Sequence, residues 1–473
     1  MVIHRIIQYL KSRDILDNKK LLITLGVLLI ILLSASLSNM LLWDETVYLG
    51  NARSYIGESN YVEDYRPPLL ELVISLIWLF TGESVIVAKI MMILISLGSF
   101  LILFSIGKRY LSENLNYLMS VLFALTPIML YWSAKIYTDI PSTFLVLISF
   151  YFILKDHDKS KKSDSNKLII FAGIFAALAL MMRYVQVIYL LCIIFYFLSH
   201  KRIKITIIFC LSVLIVLSPW IIYNQITYSN PLWDFMQQFT YFQEWNAPEP
   251  ALKQVINLFI YVNPLIPLLL VIGFVILLLK KEKMKKFLIP YMIISLFYYV
   301  FYVNVKDPRY YLSFLPFIFL LSFYALENLM KNKSLRYVYN ILLIVLIFSG
   351  LALMLNAFKT ESRTSYCDKD NSIMQTIGYL NQEINDNNRN EITIISNSWP
   401  WYGYHLNVKA FSIWDSDISN QAKEVNADYV VYNNIIGQEY SKDTLDKSPA
   451  LTFDREFHGN CNDKSYLYRV NQD

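Results

Sequence analysis

Trp43-Asp44-Glu45 follows directly on a long apolar run, and Tyr65-Arg66-Pro67-Pro68 comes later in the same polar connection. Carboxylates at the outer mouth of a hydrophobic bundle suit chemistry on a substrate with a polar head and a greasy tail. A partly desolvated carboxylate has a raised proton affinity and can serve as a general base. Neighbouring residues on a helix do not share a face, so Asp44 and Glu45 are expected to do different jobs. Helix capping is the competing use, since an Asp at the start of a turn accepts from free amide hydrogens. Asp139, in Lys135-Ile136-Tyr137-Thr138-Asp139-Ile140-Pro141, is the third candidate acid, and Thr138 or Asp139 could instead cap the helix that follows. Arg66, Arg183 and Arg309 are the basic complement. Arginine favours bidentate contact with phosphate or carboxylate; snorkelling to lipid headgroups is the alternative. Tyr65 and Tyr310 adjoin two of these arginines and are the candidate substrate-binding side chains.

The elements that must position these residues are mostly apolar. Of 473 residues 56% are hydrophobic and 17% charged, with mean hydropathy +0.40. Soluble domains carry roughly 25% charged residues, so most of the chain should lie in lipid. Leu21 to Leu42 holds no charge, enough to cross roughly 30 Å of hydrocarbon; without a clear small-residue cleavage site it reads as an uncleaved helix rather than a signal peptide. Apolar segments place spans near 20–41, 84–107, 115–133, 139–155, 168–182, 184–199, 205–223, 255–279, 287–303, 311–329 and 338–357, with the pair around Arg183 short enough for a bent hairpin. The stretch Pro67 to Phe80 is too short to span and suits an interfacial helix.

Lys and Arg cluster at the N-terminus and in alternate connections, at Lys108-Arg109, Lys155 to Lys167, Lys201 to Lys204, Lys280 to Lys286 and Lys331 to Arg336. The intervening loops hold only Arg53, Arg66, Lys135, Arg183, Lys253, Lys306 and Arg309. The positive-inside rule then expects a multi-pass plasma-membrane protein with a cytoplasmic N-terminus and an external C-terminus. It also places Asp139 on the same face as Asp44. Because the basic clusters report topology, no nucleic-acid partner is expected.

Beyond Phe358 the composition turns polar, with β-type runs at Ile392–Ser396, Ala410–Trp414 and Tyr429–Asn433 and a helical pattern over Ile373 to Ile384. The fold expected is a polytopic α-helical membrane protein of about 11 transmembrane helices with outer-face interfacial helices, plus a small C-terminal extracytoplasmic α/β domain. Its domains are 1–357, with the first outer loop at 38–83, and 358–473. Cys192 and Cys210 sit in apolar runs, while Cys367 and Cys461 fall in the tail, where an outside location permits a disulfide; unpaired thiols are the alternative.

Several motifs together resemble the polyprenyl-phosphate-sugar-dependent membrane glycosyltransferases of the C-type fold, which include protein O-mannosyltransferases and lipid A aminoarabinose transferases. Trp43-Asp44-Glu45 resembles that family's acidic motif in the first outer loop, and Arg66-Pro67-Pro68-Leu69 its Lys/Arg-Pro-Pro-Leu step. Thr138-Asp139-Ile140-Pro141 resembles its second acidic site, Leu178 to Arg183 its Gly/Ala-rich helix ending in a basic residue, and Lys306-Asp307-Pro308-Arg309-Tyr310-Tyr311-Leu312 its Arg-Tyr turn before a late span. The match runs over most of the membrane part. Arg183 stands where Lys is more usual, the Gly-Pro expected after it is Tyr184-Val185, and the tail does not match the best-known branches, so no acceptor carries over.

The resemblance implies inverting transfer of a sugar from a polyprenyl (dolichyl or undecaprenyl) monophosphate carrier to a protein, lipid or glycan acceptor at the outer face. Asp44 would deprotonate or orient the acceptor, and Glu45 and Asp139 would orient Asp44, acceptor or sugar. Charge developing on the departing lipid phosphate would be met by Arg66, Arg183 and Arg309. Fixed guanidinium groups can replace a metal there, and the first outer loop has no Asp-x-Asp, so no metal or other cofactor is expected. An oligosaccharyltransferase-like enzyme is one rival: Ser398-Trp399-Pro400-Trp401-Tyr402-Gly403 resembles that class's Trp-Trp-Asp-Tyr-Gly without the aspartate, or else is an aromatic loop packing the outer domain onto the membrane. A non-enzymatic transporter or flippase of lipid-linked sugars is another, which would favour mid-membrane charges and paired repeats. An inactive scaffold is a third.

Overall fold

The computed structural model describes residues 19–36, 40–158, 162–244, 249–280, 282, 284–368, 371–386, 392–413, 418–434 and 442–471. The chain packs as two compact units. One takes in 1–37, 65–69 and 88–358; the other takes in 38–64, 70–87 and 359–473. Most of residues 38–83 therefore belong with the C-terminal segment.

The larger unit is a helical membrane body. Among the described residues three helices are long and apolar enough to cross a membrane, at Val85–Gly107, Ile203–Tyr228 and Lys333–Ala357, or up to four if the bent pair Ala251–Tyr261 and Ile266–Leu279 is one span. The expected straight spans break where proline or polar residues interrupt the amide ladder. The stretch 115–133 divides into Glu113–Ala124 and Pro127–Trp132, with Thr126 capping Met129 N ahead of Pro127. The stretch 255–279 bends by 101° between its two helices. There Asn263 Oδ1 accepts from Leu265 N at 2.9 Å, and Pro267 lies in the first turn of the second helix. Proline lacks the amide hydrogen that would continue a helix.

Helix Asp139–Asp158 packs on Lys162–Met182, which packs in turn on Ile203–Tyr228. Gly173 makes the second crossing close: a Cβ there would lie 2.8 Å from Phe209 O and 2.7 Å from Ser212 Cβ. Small residues at such crossings let membrane helices approach closely. A continuous core of Phe123, Phe150, Phe287, Tyr291, Phe317 and Phe323 runs through the unit.

The second unit combines helices Trp43–Tyr55 and Leu69–Thr81 with a five-stranded sheet. In chain order the strands are β1 (Thr393–Ser396), β2 (Lys409–Phe411), β3 (Tyr429–Asn433), β4 (Leu451–His458) and β5 (Lys464–Val470), arranged β2-β1-β3-β5-β4. β1 runs parallel to both neighbours, and β5 runs antiparallel to β3 and β4. Helix Ser372–Asp386 covers one face with Ile373, Ile377 and Leu380 against Ile394, Val431 and Leu467. Ile395, Val430 and Tyr432 point the other way, as strand alternation demands. The expected runs at 392–396 and 429–433 are strands β1 and β3; β2 is shorter than expected, and Trp414 lies outside the described residues. Helix Ser372–Asp386 contains the expected helical run. Cys461 is disulfide-bonded, and the side chain of Cys367 lies outside the described residues.

Candidate active site

In the membrane unit the site residues gather at a turn. Asp139 opens helix Asp139–Asp158, and its backbone carbonyl accepts from Ser142 Oγ and Thr143 Oγ1, both at 2.8 Å. Its carboxylate is buried, 1% exposed, and pairs with the Arg183 guanidinium. Thr143 Oγ1 also donates to Leu312 O at 2.9 Å, tying this helix to the short 3-10 turn Pro308–Ser313 that carries Arg309 and Tyr310. Arg183 Cζ lies 5.6 Å from the Tyr310 ring centre and Arg309 Cζ 5.5 Å from it, so one buried ring is shared by two cations. Arg309 is further enclosed by Tyr137 at 5.1 Å and Trp132 at 5.7 Å, and its Nε lies 3.4 Å from Asp307 Oδ2. Tyr299, on the π-helical turn Tyr298–Tyr302, stacks on Tyr310 at 5.3 Å. Cations over aromatic faces are stabilised by the ring quadrupole while their charge stays available to an anion. The structure thus brings together Asp139, Arg183, Arg309 and Tyr310. Half-buried Arg66 stands in the same unit, its Cζ 5.3 Å from the Tyr65 ring.

The two residues Tyr184 and Gln186, in the turn after Arg183, are anchored by partners that have no motif of their own. Gln186 Nε2 donates to Ser142 Oγ at 3.2 Å. Tyr184 Oη donates to the buried Asp234 carboxylate, which also accepts from Trp220 Nε1 and from Asn224 Nδ2 at 2.7 Å. Asp234 sits just after helix Ile203–Tyr228, and only its position beside aromatic residues could have drawn attention to it. Lys89, read as part of a span, is a buried cation at 8% exposure.

In the other unit Asp44 and Glu45 occupy the first turn of helix Trp43–Tyr55, where the helix dipole favours negative charge. They differ as adjacent helical residues must. Glu45 is fully buried and its Oε2 accepts from Leu42 N at 2.8 Å, so it caps its own helix; Asp44 is half-buried. Trp43 is gripped edge-on by Trp399 at 4.5 Å and Trp401 at 5.4 Å. Trp399 Nε1 donates to Glu63 Oε1 at 3.0 Å, Tyr61 Oη to the same oxygen at 2.7 Å, and Trp401 Nε1 to Leu41 O at 2.8 Å. Asn51 closes the frame, donating to Glu63 O at 2.7 Å and to buried Glu71 Oε1 at 2.6 Å. Tyr61 presses against Gly403, where a Cβ would meet it at 2.5 Å. The string Ser398 to Gly403 therefore packs on the acidic helix itself.

The same helix, Trp399–Leu406, carries His405 beside Arg53. Burial, and then the Arg53 charge, push its imidazole down to about 4. The unfolded chain would bind a proton near the usual histidine value of about 6.5, so the unfolded state gains protons first on acidification. Stability from this group is present at neutral pH and is lost as pH falls from there toward 4, by up to about 3 kcal/mol. His405→Gln is expected to flatten that loss when melting of the full-length protein is followed at pH 7 and pH 4.5. Equal losses in both proteins would contradict it.

With this geometry in place, comparison with known proteins defines the class: a membrane protein with the fold of the C-type glycosyltransferases. Residues 65–223, which include Arg66, Asp139 and Arg183, match the family model described as dolichyl-phosphate-mannose-protein mannosyltransferase. The chain is similar to ArnT from Cupriavidus metallidurans in the apo state, at TM-score 0.69 and 12% identity over 95% of this chain and 98% of that one. It is similar to the same protein bound to undecaprenyl phosphate at TM-score 0.68 and 11% identity, over 94% and 97%. It is also similar to the Archaeoglobus fulgidus oligosaccharyltransferase complexed with Zn and sulfate, at TM-score 0.58 and 12% identity, over 87% and 68%. No curated protein matches the chain by sequence. The resemblance drawn from the motifs is borne out at the level of fold.

Proposed function

We propose that the chain is an inverting, metal-independent glycosyltransferase that moves a sugar from a polyprenyl monophosphate carrier to an acceptor at the outer membrane face. The observation that carries this reading is the pair of guanidinium groups, Arg183 and Arg309, set about the buried Tyr310 ring beside Asp139. A lipid phosphate has the charge to meet both, and the solved relative named with undecaprenyl phosphate supports a ligand of that chemistry. Asp44 takes the proton of the acceptor hydroxyl or amine as that atom attacks the sugar's anomeric carbon. The bond from that carbon to the phosphate oxygen breaks, and the lipid monophosphate leaves with its added charge facing arginines. Preorganised donors aimed at developing charge are the largest single source of rate in many enzymes. Arg66 is the third cation of this set, Tyr65 and Tyr310 line the donor, and Glu45 and Asp139 act as orienting carboxylates. Cys461 pairs with Cys367 in the outer unit, and the N-terminus lies in the cytoplasm.

Membranes containing the protein, supplied in turn with several polyprenyl-phosphate sugars, test the reading. Transfer of one sugar to endogenous acceptors identifies the donor. Absence of transfer from every donor, in membranes rich in acceptors, would count against the enzyme class.

A further inference from the structure

Helix Ala251–Tyr261 is amphipathic in the sense opposite to a soluble helix. Leu252 is 65% exposed and Ile256, Phe259 and Ile260 are exposed with it, while Gln254 and Asn257 are buried. In a membrane body the apolar side of such a helix belongs to lipid, and the buried amides must be satisfied by protein. Besides a bond between the two, from Asn257 Nδ2 to Gln254 Oε1 at 3.3 Å, they are satisfied by one short segment, the turn before Arg309. Asn257 Nδ2 donates to Lys306 O at 2.8 Å, and Gln254 Nε2 donates to Asp307 O at 3.2 Å. The helix receives a bond in return, from Tyr311 Oη to Gln254 O at 2.6 Å. Just ahead of the helix, Glu249 Oε2 accepts from Lys306 N at 2.7 Å, and Glu249 N donates to Asn304 O at 3.1 Å. Consecutive peptide groups from 304 to 307 are thereby fixed. Asp307 then accepts from Arg309 N at 2.8 Å, passing the constraint to the arginine.

Apolar side chains would pack a helix against a turn more cheaply than two buried amides, because each amide costs free energy unless its bonds are complete. What amides add is direction. We propose that Gln254 and Asn257 are positioning residues that aim the Arg309 guanidinium at an anionic lipid headgroup. The inference rests on the reading of Arg309 given above, and it adds a specificity element to that site: the helix that faces lipid also sets the cation that meets the phosphate.

The test is binding of a polyprenyl phosphate by the full-length protein in detergent, with the corresponding polyprenol as the tail-only control. Wild type should prefer the phosphate. Asn257→Ala and the near-isosteric Gln254→Glu should each weaken phosphate binding about five- to tenfold, the scale of one directed hydrogen bond, with polyprenol binding unchanged, which a general loosening of the fold would not spare. Arg309→Ala should weaken the preference, with Arg183 and Arg66 still present, and adding Asn257→Ala to it should cost nothing more, since coupled residues are not additive. Equal loss of phosphate and polyprenol binding, or full additivity with Arg309→Ala, would overturn the positioning role while leaving the arginine's role standing. A wild type without preference for phosphate would overturn both.

Discussion

Arg183→Ala is expected to lower the stability of the membrane unit by about 3–5 kcal/mol, the cost of leaving one member of a buried ion pair without the other. The Asp139 carboxylate is 1% exposed and the Arg183 side chain 15% exposed, so water can replace little of the lost charge. Asp139→Asn should cost less than Arg183→Ala, because a neutral amide of the same shape can still accept a bond. The sharper variant is the double replacement Asp139→Leu with Arg183→Met. Apolar residues of similar volume in place of a buried pair are often neutral or stabilising, so the melting temperature should recover toward wild type. Sugar transfer should not recover, because the guanidinium that faces Tyr310 is gone. Melting curves in detergent read the first quantity and transfer in membranes the second. If Arg183→Ala melts with wild type, the buried pair contributes nothing to stability. If the double variant regains transfer, Arg183 has no part in meeting the phosphate.

The second large effect separates two adjacent carboxylates. Asp44→Asn removes the proposed base and leaves the helix start intact, because the bond that closes it runs from Leu42 N to Glu45. Loss of a general base typically costs 10²–10⁴-fold in rate, and transfer should fall by about that much with melting unchanged. Glu45→Gln keeps an acceptor for Leu42 N but removes the charge that suits a helix N-terminus. Its expected cost is about 1 kcal/mol of stability, with a far smaller effect on transfer. The reversed pattern would exchange the roles: Glu45 the base, Asp44 the cap.

Much of this arrangement was legible in the sequence because it is local. Pro67-Pro68 announced helix Leu69–Thr81, and Asp307-Pro308 announced the turn that carries Arg309. Short runs of β-branched and aromatic residues marked β1 and β3. What stayed hidden depends on partners far along the chain. Nothing near Glu63 indicates that Trp399 donates to it, 336 residues away. Thr138 or Asp139 could also be read as a helix cap, and nothing near Asp139 in the sequence points to Arg183 as its partner. Helix Ala251–Tyr261 looked like the start of a straight span, since its lipid-facing residues dominate the pattern and two inward amides do not interrupt it. The hairpin of β4 and β5 escaped notice for a related reason. Its strands carry Asp454, Arg455, Glu456 and Arg469, which mask the strand signal as charged edges do.

The most direct test of the central claim follows a labelled sugar through a single turnover. Purified protein in lipid vesicles is given a polyprenyl monophosphate carrying a labelled sugar of known anomeric configuration, with an acceptor and with a chelator present. The account predicts label on the acceptor with inverted configuration, and the lipid released as its monophosphate, as fast with the chelator as without it. Label that remains on the lipid but changes leaflet would show a transporter instead, and transfer that stops with the chelator would show that the arginines do not replace a metal.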